Sequence, residues 1–135
     1  MKNIRIFIFI CISSLSSFCF SQEVKENIYE VLNEQQRGDW YKSKKNWEEK
    51  YFNAFLKKYK VKLSCANCSS VYVDVHFAIM EDGHTHVKVL QTKKCGTVFT
   101  AKQISELEKL LFNIEFPTGL YNTKFCGRIG RGLSC

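Results

Sequence analysis

Proline is almost missing. Pro117 is the single one among 135 residues, which excludes a long stiff Pro-rich spacer. Internal repeats and low-complexity tracts are absent. There is no glycine loop of the kind that cradles phosphate; Gly127, Gly130 and Gly132 fall in or after a strand pattern, where bulges or close packing account for them. No Ser-His-Asp or Cys-His set has a spacing that ties it to one place, and no pair of carboxylates stands out for acid/base work. Recognisable nucleic-acid motifs are lacking as well. The sequence therefore names no catalytic residue, no cofactor and no nucleic-acid partner.

What is present suffices for one compact domain and is too little for two. Hydrophobic residues make up 45% and aromatic residues 14%, so the chain has the means to bury a core and is not a disordered tail. Residues 1–21 read as a secretory signal peptide. Lys2 and Arg5 form a positive start, Ile6 to Ile12 is apolar throughout, and Ser13, Ser14, Ser16 and Ser17 dilute the hydrophobicity. Cys19 and Ser21 then place small residues ahead of a cut before Gln22. An uncleaved anchor needs roughly 20 mostly apolar residues, which the serines interrupt, and Phe18 is too bulky for lipoprotein processing at Cys19. Cleavage leaves one exported domain over 22–135, periplasmic or secreted. The formal charge of +7 loses Lys2 and Arg5 with the leader and becomes +5, which assists contact with anionic surfaces. The densest basic group, Lys57, Lys58, Lys60 and Lys62, brackets an expected helix end, where cations suit the dipole. A solvated helix terminus explains it better than a nucleic-acid patch.

An N-terminal helical segment is expected over 23–60. Val24, Ile28, Val31 and Leu32 recur at helical spacing over 23–36. Arg37-Gly38-Asp39 then punctuates, glycine suiting one helix end and aspartate the next cap. Trp40, Trp47, Tyr51, Phe55 and Tyr59 mark a face of the second helix, with Phe52 and Leu56 beside it; such a stripe packs a helix onto a sheet more often than it grips a ligand. Residues 71–80 switch to period two, with Val71, Val73, Val75, Phe77 and Ile79 on one side. Glu81-Asp82-Gly83 is a hairpin loop. Pairing Met80 with His84 sets Phe77 against Val87 and Val75 against Val89, apolar against apolar on both strands. Thr100 to Gln103 matches a capping box, and Ile104, Leu107, Leu110, Leu111 and Ile114 continue it as a helix. A closing strand over 123–131 turns Phe125 and Ile129 inward.

A helix between the second and third strands makes a right-handed crossover and leaves those two parallel. The first strand fits between them, antiparallel to both. The predicted fold is α+β: a three-stranded antiparallel sheet of order 2-1-3, with the crossover helix and the N-terminal helices packed on one face. In that arrangement Cys65 and Cys68 precede the first strand, Cys95 follows the second and Cys135 follows the third, so all four gather at one edge. Two disulfides are expected, from Cys95 and Cys135 to Cys65 and Cys68 in either order. Cys126 lies within the third strand, either a thiol outside those bridges or the link between two chains. A four-cysteine zinc site competes, because Cys-x-x-Cys is a good half-site, but the second half is missing. So does thiol-disulfide exchange at Cys65-Ala66-Asn67-Cys68, although that chemistry wants a helix N-terminus after the motif and here a strand follows.

The stretch from Val73 to Leu90 with Asp82-Gly83 at its turn, then Cys95-Gly96, an amphipathic helix, Phe116-Pro117 and a closing strand, resembles the TonB C-terminal domain over about residues 71–131. The resemblance implies strand, hairpin, strand, helix, Pro-containing turn and strand. TonB-type energy transducers keep a membrane anchor and a long Pro-rich linker; with neither here, the resemblance implies the fold and not energy transduction.

His76, His84 and His86 share the outward face of the hairpin and are the metal-ligand candidates, ranked below solvated side chains. The reading settles on a small exported disulfide-stabilised binding domain of the cell envelope, not an enzyme. The expected partner is another envelope protein held through the outermost third strand, at Lys124, Arg128 and Arg131, with a disulfide-linked or edge-strand homodimer as the other expectation. Envelope thiol-disulfide oxidoreduction at Cys65 and Cys68 is the alternative.

Overall fold

The computed structural model describes residues 27–135. The leader reading of 1–21, with Cys11, Cys19 and also Val24, lies outside the described residues. The elements run α1 (Ile28–Val31), α2 (Glu34–Trp47), a π-helical turn (Glu48–Phe52), α3 (Asn53–Lys58), β1 (Ser70–Ile79), β2 (Thr85–Lys94), α4 (Ala101–Leu111), a 3₁₀ turn (Thr118–Leu120) and β3 (Thr123–Gly132).

The long helix begins at Asn33, not after Gly38. Asn33 accepts the Gln36 N–H at 2.8 Å while the Gln36 side chain accepts the Asn33 N–H at 3.0 Å, a complete capping box. The expected break at Arg37-Gly38-Asp39 is thus corrected: Gly38 sits inside α2. That costs about 1 kcal/mol relative to alanine, a small sum beside the burial of Trp40 and Trp47 on the same helix. The stripe on this helix is also re-phased. Trp47 and Phe52 are both buried and stack at 5.9 Å, although residues five apart do not share a face of an α-helix. The π turn brings them together, through an i→i+5 hydrogen bond from Asn53 N–H to Glu48 O. Phe52 consequently becomes core and Tyr51 is left half-buried.

The three strands order as β2-β1-β3, both neighbours antiparallel to β1. This is the α+β sheet expected, with α4 as the crossover. Val75 faces Val89 and Phe77 faces Val87, and the hairpin closes with Met80 N–H donating to His84 O at 2.7 Å. Beyond Val89 the ladder slips: Leu90 is an extra residue, and Asp74 faces Gln91, a β-bulge. The slip turns Thr92 toward the helices, where its hydroxyl oxygen accepts the Phe99 N–H at 3.1 Å.

The core lies between the helices and one face of the sheet. Val71, Val73, Val75, Phe77 and Ile79 of β1 are buried there with Phe125 and Ile129 of β3. Trp40 stands at its centre, its ring 5.1 Å from Phe77 and 5.2 Å from Phe125. Gly127 makes this approach feasible, since a Cβ at that position would lie 2.4 Å from Trp40 Cζ2. Trp47 Nε1–H donates to Leu110 O at 2.8 Å and so ties α2 to α4. Among the described residues, no helix is long and apolar enough to cross a membrane.

Candidate functional site

The start of β1 and the ends of β2 and β3 meet at one corner, and four sulfurs meet with them. Cys65 is bonded to Cys135 and Cys68 to Cys95, with Cα–Cα distances of 5.7 and 4.3 Å. Ser64 and Cys68 exchange two backbone hydrogen bonds of 2.8 Å. The tight loop between them points Cys65 at solvent and Cys68 into the core. The two sulfurs of the Cys-x-x-Cys motif are therefore shared out between different bridges, and β1 follows the motif where a helix N-terminus would be needed to lower a thiol pKa. Two disulfides are consistent with an oxidising, extracytoplasmic setting. Cys126 belongs to neither bridge.

The second region is the sheet face turned away from the helices. Period two places Tyr72, Asp74, His76 and Ala78 of β1 there. Their cross-strand partners are Lys93, Gln91, Lys88 and His86 on β2, and Gly130, Arg128, Cys126 and Lys124 on β3. Arg128 holds Asp74 through two hydrogen bonds of 2.7 and 3.0 Å, and its guanidinium carbon lies 3.9 Å from the Tyr72 ring centroid. The Asp74 bonds push the Arg128 guanidinium pKa up. Gly130, opposite Tyr72, offers no side chain to crowd that stack. His84 and His86 have ring centroids 5.2 Å apart, while His76 faces Lys88 and Cys126. Among the described residues no three His, Cys, Asp or Glu side chains are grouped to hold a metal ion.

The cations expected to act together on β3 are divided by the fold. Lys124 and Arg128 lie on the open face. Arg131, an odd number of residues away, belongs to the side of Phe125 and Ile129. The outer edge of β3 is also partly occupied. Asn27 bridges to Cys126 in parallel fashion, and Gly130 N–H donates to Glu48 Oε1 at 2.9 Å. Burial pushes the Glu48 carboxyl pKa up, against the opposing pull of that hydrogen bond, Lys44 and Arg131. Alternation along the strand was legible evidence against a single Lys124–Arg128–Arg131 edge; the Glu48 cap had no signal in the sequence.

The edge of β2 is different. His84 is paired to β1 through its carbonyl, so antiparallel alternation turns the Thr85, Val87 and Val89 amides outward. Val89 N–H reaches Glu108 Oε1 at 3.4 Å, and among the described residues no strand pairs with this edge. A separate cleft of about 430 Å³ lies between α2 and the segment before β3, with Ser43, Trp47 and Phe116 in its wall. It mixes charges of both signs and was not anticipated from the sequence.

No protein-family model matches the chain, and no curated protein or solved structure matches it.

Proposed function

We propose that the protein is a non-catalytic binding domain of the cell envelope, exported by a cleaved leader and residing in the periplasm or outside the cell. The TonB C-terminal likeness of residues 71–131 is part of this proposal and rests on the residues that carry it; energy transduction is not part of it. The partner is another envelope protein, and the segment it offers is extended and acidic.

One observation carries this reading: the β2 edge presents the Thr85 and Val87 amides outward beside a face rich in cations. A partner strand would add its own backbone hydrogen bonds to that edge, with specificity left to alternate side chains. Among the described residues the adjoining face carries Lys93, Lys124 and Arg128, with one carboxylate, Asp74, which Arg128 already holds. The charge balance favours carboxylates on the incoming strand. This moves the docking edge from β3, where the sequence placed it, to β2.

The test is capture from envelope extract by the exported protein and by Thr85→Pro. Proline is tolerated on an edge strand where the N–H faces solvent, so the fold is retained while a docking amide is lost. The captured protein's most acidic extended segment is then synthesised and titrated directly. Loss of capture with Thr85→Pro and with Lys93→Glu/Lys124→Glu, together with direct peptide binding, supports the reading. Equal capture by all three proteins rejects it. Intact-mass measurement of the exported protein with and without alkylation reports the leader cut and the bridge count.

A further inference from the structure

We infer that the basic concavity at the end of α3 is a docking site for an anionic lipid surface, on the opposite side of the sheet from the strand-binding edge. α3 ends in a Schellman turn: Val61 N–H donates to Leu56 O at 2.9 Å and Lys60 N–H to Lys57 O at 3.1 Å. The apolar contact that accompanies this turn joins Leu56 and Val61, and these two form the floor of a groove of about 520 Å³. Lys57, Lys60, Lys62 and Arg131 line it.

Three facts separate this group from an ordinary solvated helix end. First, its lysines are uncompensated. Lys58 leaves the group for Glu106, at 2.6 Å, whereas Lys57, Lys60 and Lys62 make no ion pair among the described residues. Arg131, the fourth cation of the group, acts on the half-buried Glu48 carboxylate. Second, Arg131 comes from the far end of the chain, so the convergence is made by the fold and not by sequence proximity. Third, Lys60 occupies the left-handed region, φ 55°, at the position where glycine is the default. An exposed lysine there is held against a conformational cost.

Cations around an apolar floor match a surface with phosphates above acyl chains. Lysine stems lie along apolar surface while their ammonium groups reach the headgroups. Leu133, an exposed apolar side chain two residues beyond Arg131, extends the same end of the molecule.

The experiment is co-sedimentation of the exported protein with vesicles of phosphatidylcholine alone and of phosphatidylcholine mixed with phosphatidylglycerol, at low and high salt. Partition is expected only with the anionic vesicles, weakening as salt screens it. Each lysine near the surface contributes about fivefold in partition, so Lys57→Gln/Lys60→Gln/Lys62→Gln is expected to lose about a hundredfold. Lys60→Gly is the decisive single variant. Glycine suits the left-handed position, so the unfolding midpoint is expected to rise while partition falls about fivefold. Lys93→Gln/Lys124→Gln on the open face should partition like the parent. Equal sedimentation with neutral vesicles, or unchanged partition for Lys60→Gly and the triple variant, overturns the inference. So does polyglutamate displacing the vesicles at equal phosphate and carboxylate concentration, which would mark the groove as a site for an acidic polypeptide.

Discussion

On the helix side of the sheet, Val71, Val75, Phe77 and Phe125 are sealed from solvent; on the other side, Tyr72, Asp74 and His76 are partly exposed, with Lys124 and Arg128 more so. The first surface is specified by shape. Trp40 reaches Gly127 so closely that one methyl group would collide with the indole. The second is specified by charge, and its best contact is a bidentate ion pair over a tyrosine ring. Interiors are close-packed and feel single methylenes, whereas exposed ion pairs contribute at most about 1 kcal/mol each. The covered face therefore holds the fold.

The largest effects should come from breaking the covered face. Trp40→Ala removes a buried indole and is expected to cost about 3–5 kcal/mol. Gly127→Ala should cost about 1–3 kcal/mol by overpacking. The sharper measurement is Trp40→Phe/Gly127→Ala by chemical denaturation. The smaller ring vacates the space the methyl needs, so the pair should be less destabilised than the two single losses added together. Strict additivity would mean the two residues do not compete for the same volume.

The two disulfides repeat the contrast between covered and exposed at the cysteine corner. Cys65–Cys135 closes 70 residues and Cys68–Cys95 closes 27. Chain entropy assigns them about 4.4 and about 3.6 kcal/mol, a difference too small to rank them. Exposure ranks their chemistry instead. Cys65 and Cys135 both face solvent while Cys68 is 4% exposed. Graded reduction followed by alkylation and peptide mapping is expected to label Cys65 and Cys135 first. Simultaneous labelling of all four would show that the corner opens as one unit.

These contrasts were unevenly legible in the sequence. Strict alternation from Val71 to Ile79, with Asp82-Gly83 at the turn, determined the hairpin register. The register then placed the 2-1-3 order and the cysteine corner within reach. The bulge was missed: Leu90 breaks the alternation of Val87 and Val89, an apolar residue where continued period two would turn outward, and it is the inserted residue. The helix start was misread for a different reason. Gly38 and Asp39 are poor helix formers, yet the Asn33–Gln36 capping box and the buried tryptophans outweigh their propensity. The π turn defeats any analysis that assumes a 3.6-residue period. At the candidate sites, the meeting of Lys57, Lys60 and Lys62 with Arg131 depended on tertiary structure and left no local mark.

A smaller effect is expected at Glu48, which sits between the two kinds of environment. Its folded-state pKa lies above the ordinary carboxylate value because burial disfavours the charge. The charged form is thus a liability to the fold above that pKa, relieved as pH falls through it and absent below the unfolded value. Glu48→Gln keeps an oxygen to accept the Gly130 N–H. Its midpoint should exceed the parent's at neutral pH, with the gap closing as the pH is lowered through the carboxylate range. A gap that widens on acidification would show that the attraction of Lys44 and Arg131 outweighs desolvation.

The smallest effect should be that of the ion pair on the open face, and it tests whether that face is open at all. A double-mutant cycle with Arg128→Ala and Asp74→Ala isolates the pair. An exposed pair gives a coupling below about 1 kcal/mol that declines with salt. Arg128→Lys should recover little of it, because an ammonium cannot make the two parallel bonds or lie flat over Tyr72. A coupling near 3 kcal/mol, insensitive to salt, would be the behaviour of a buried pair. It would mean that another layer covers this face in solution, and the argument for recognition there would have to begin from whatever forms that layer.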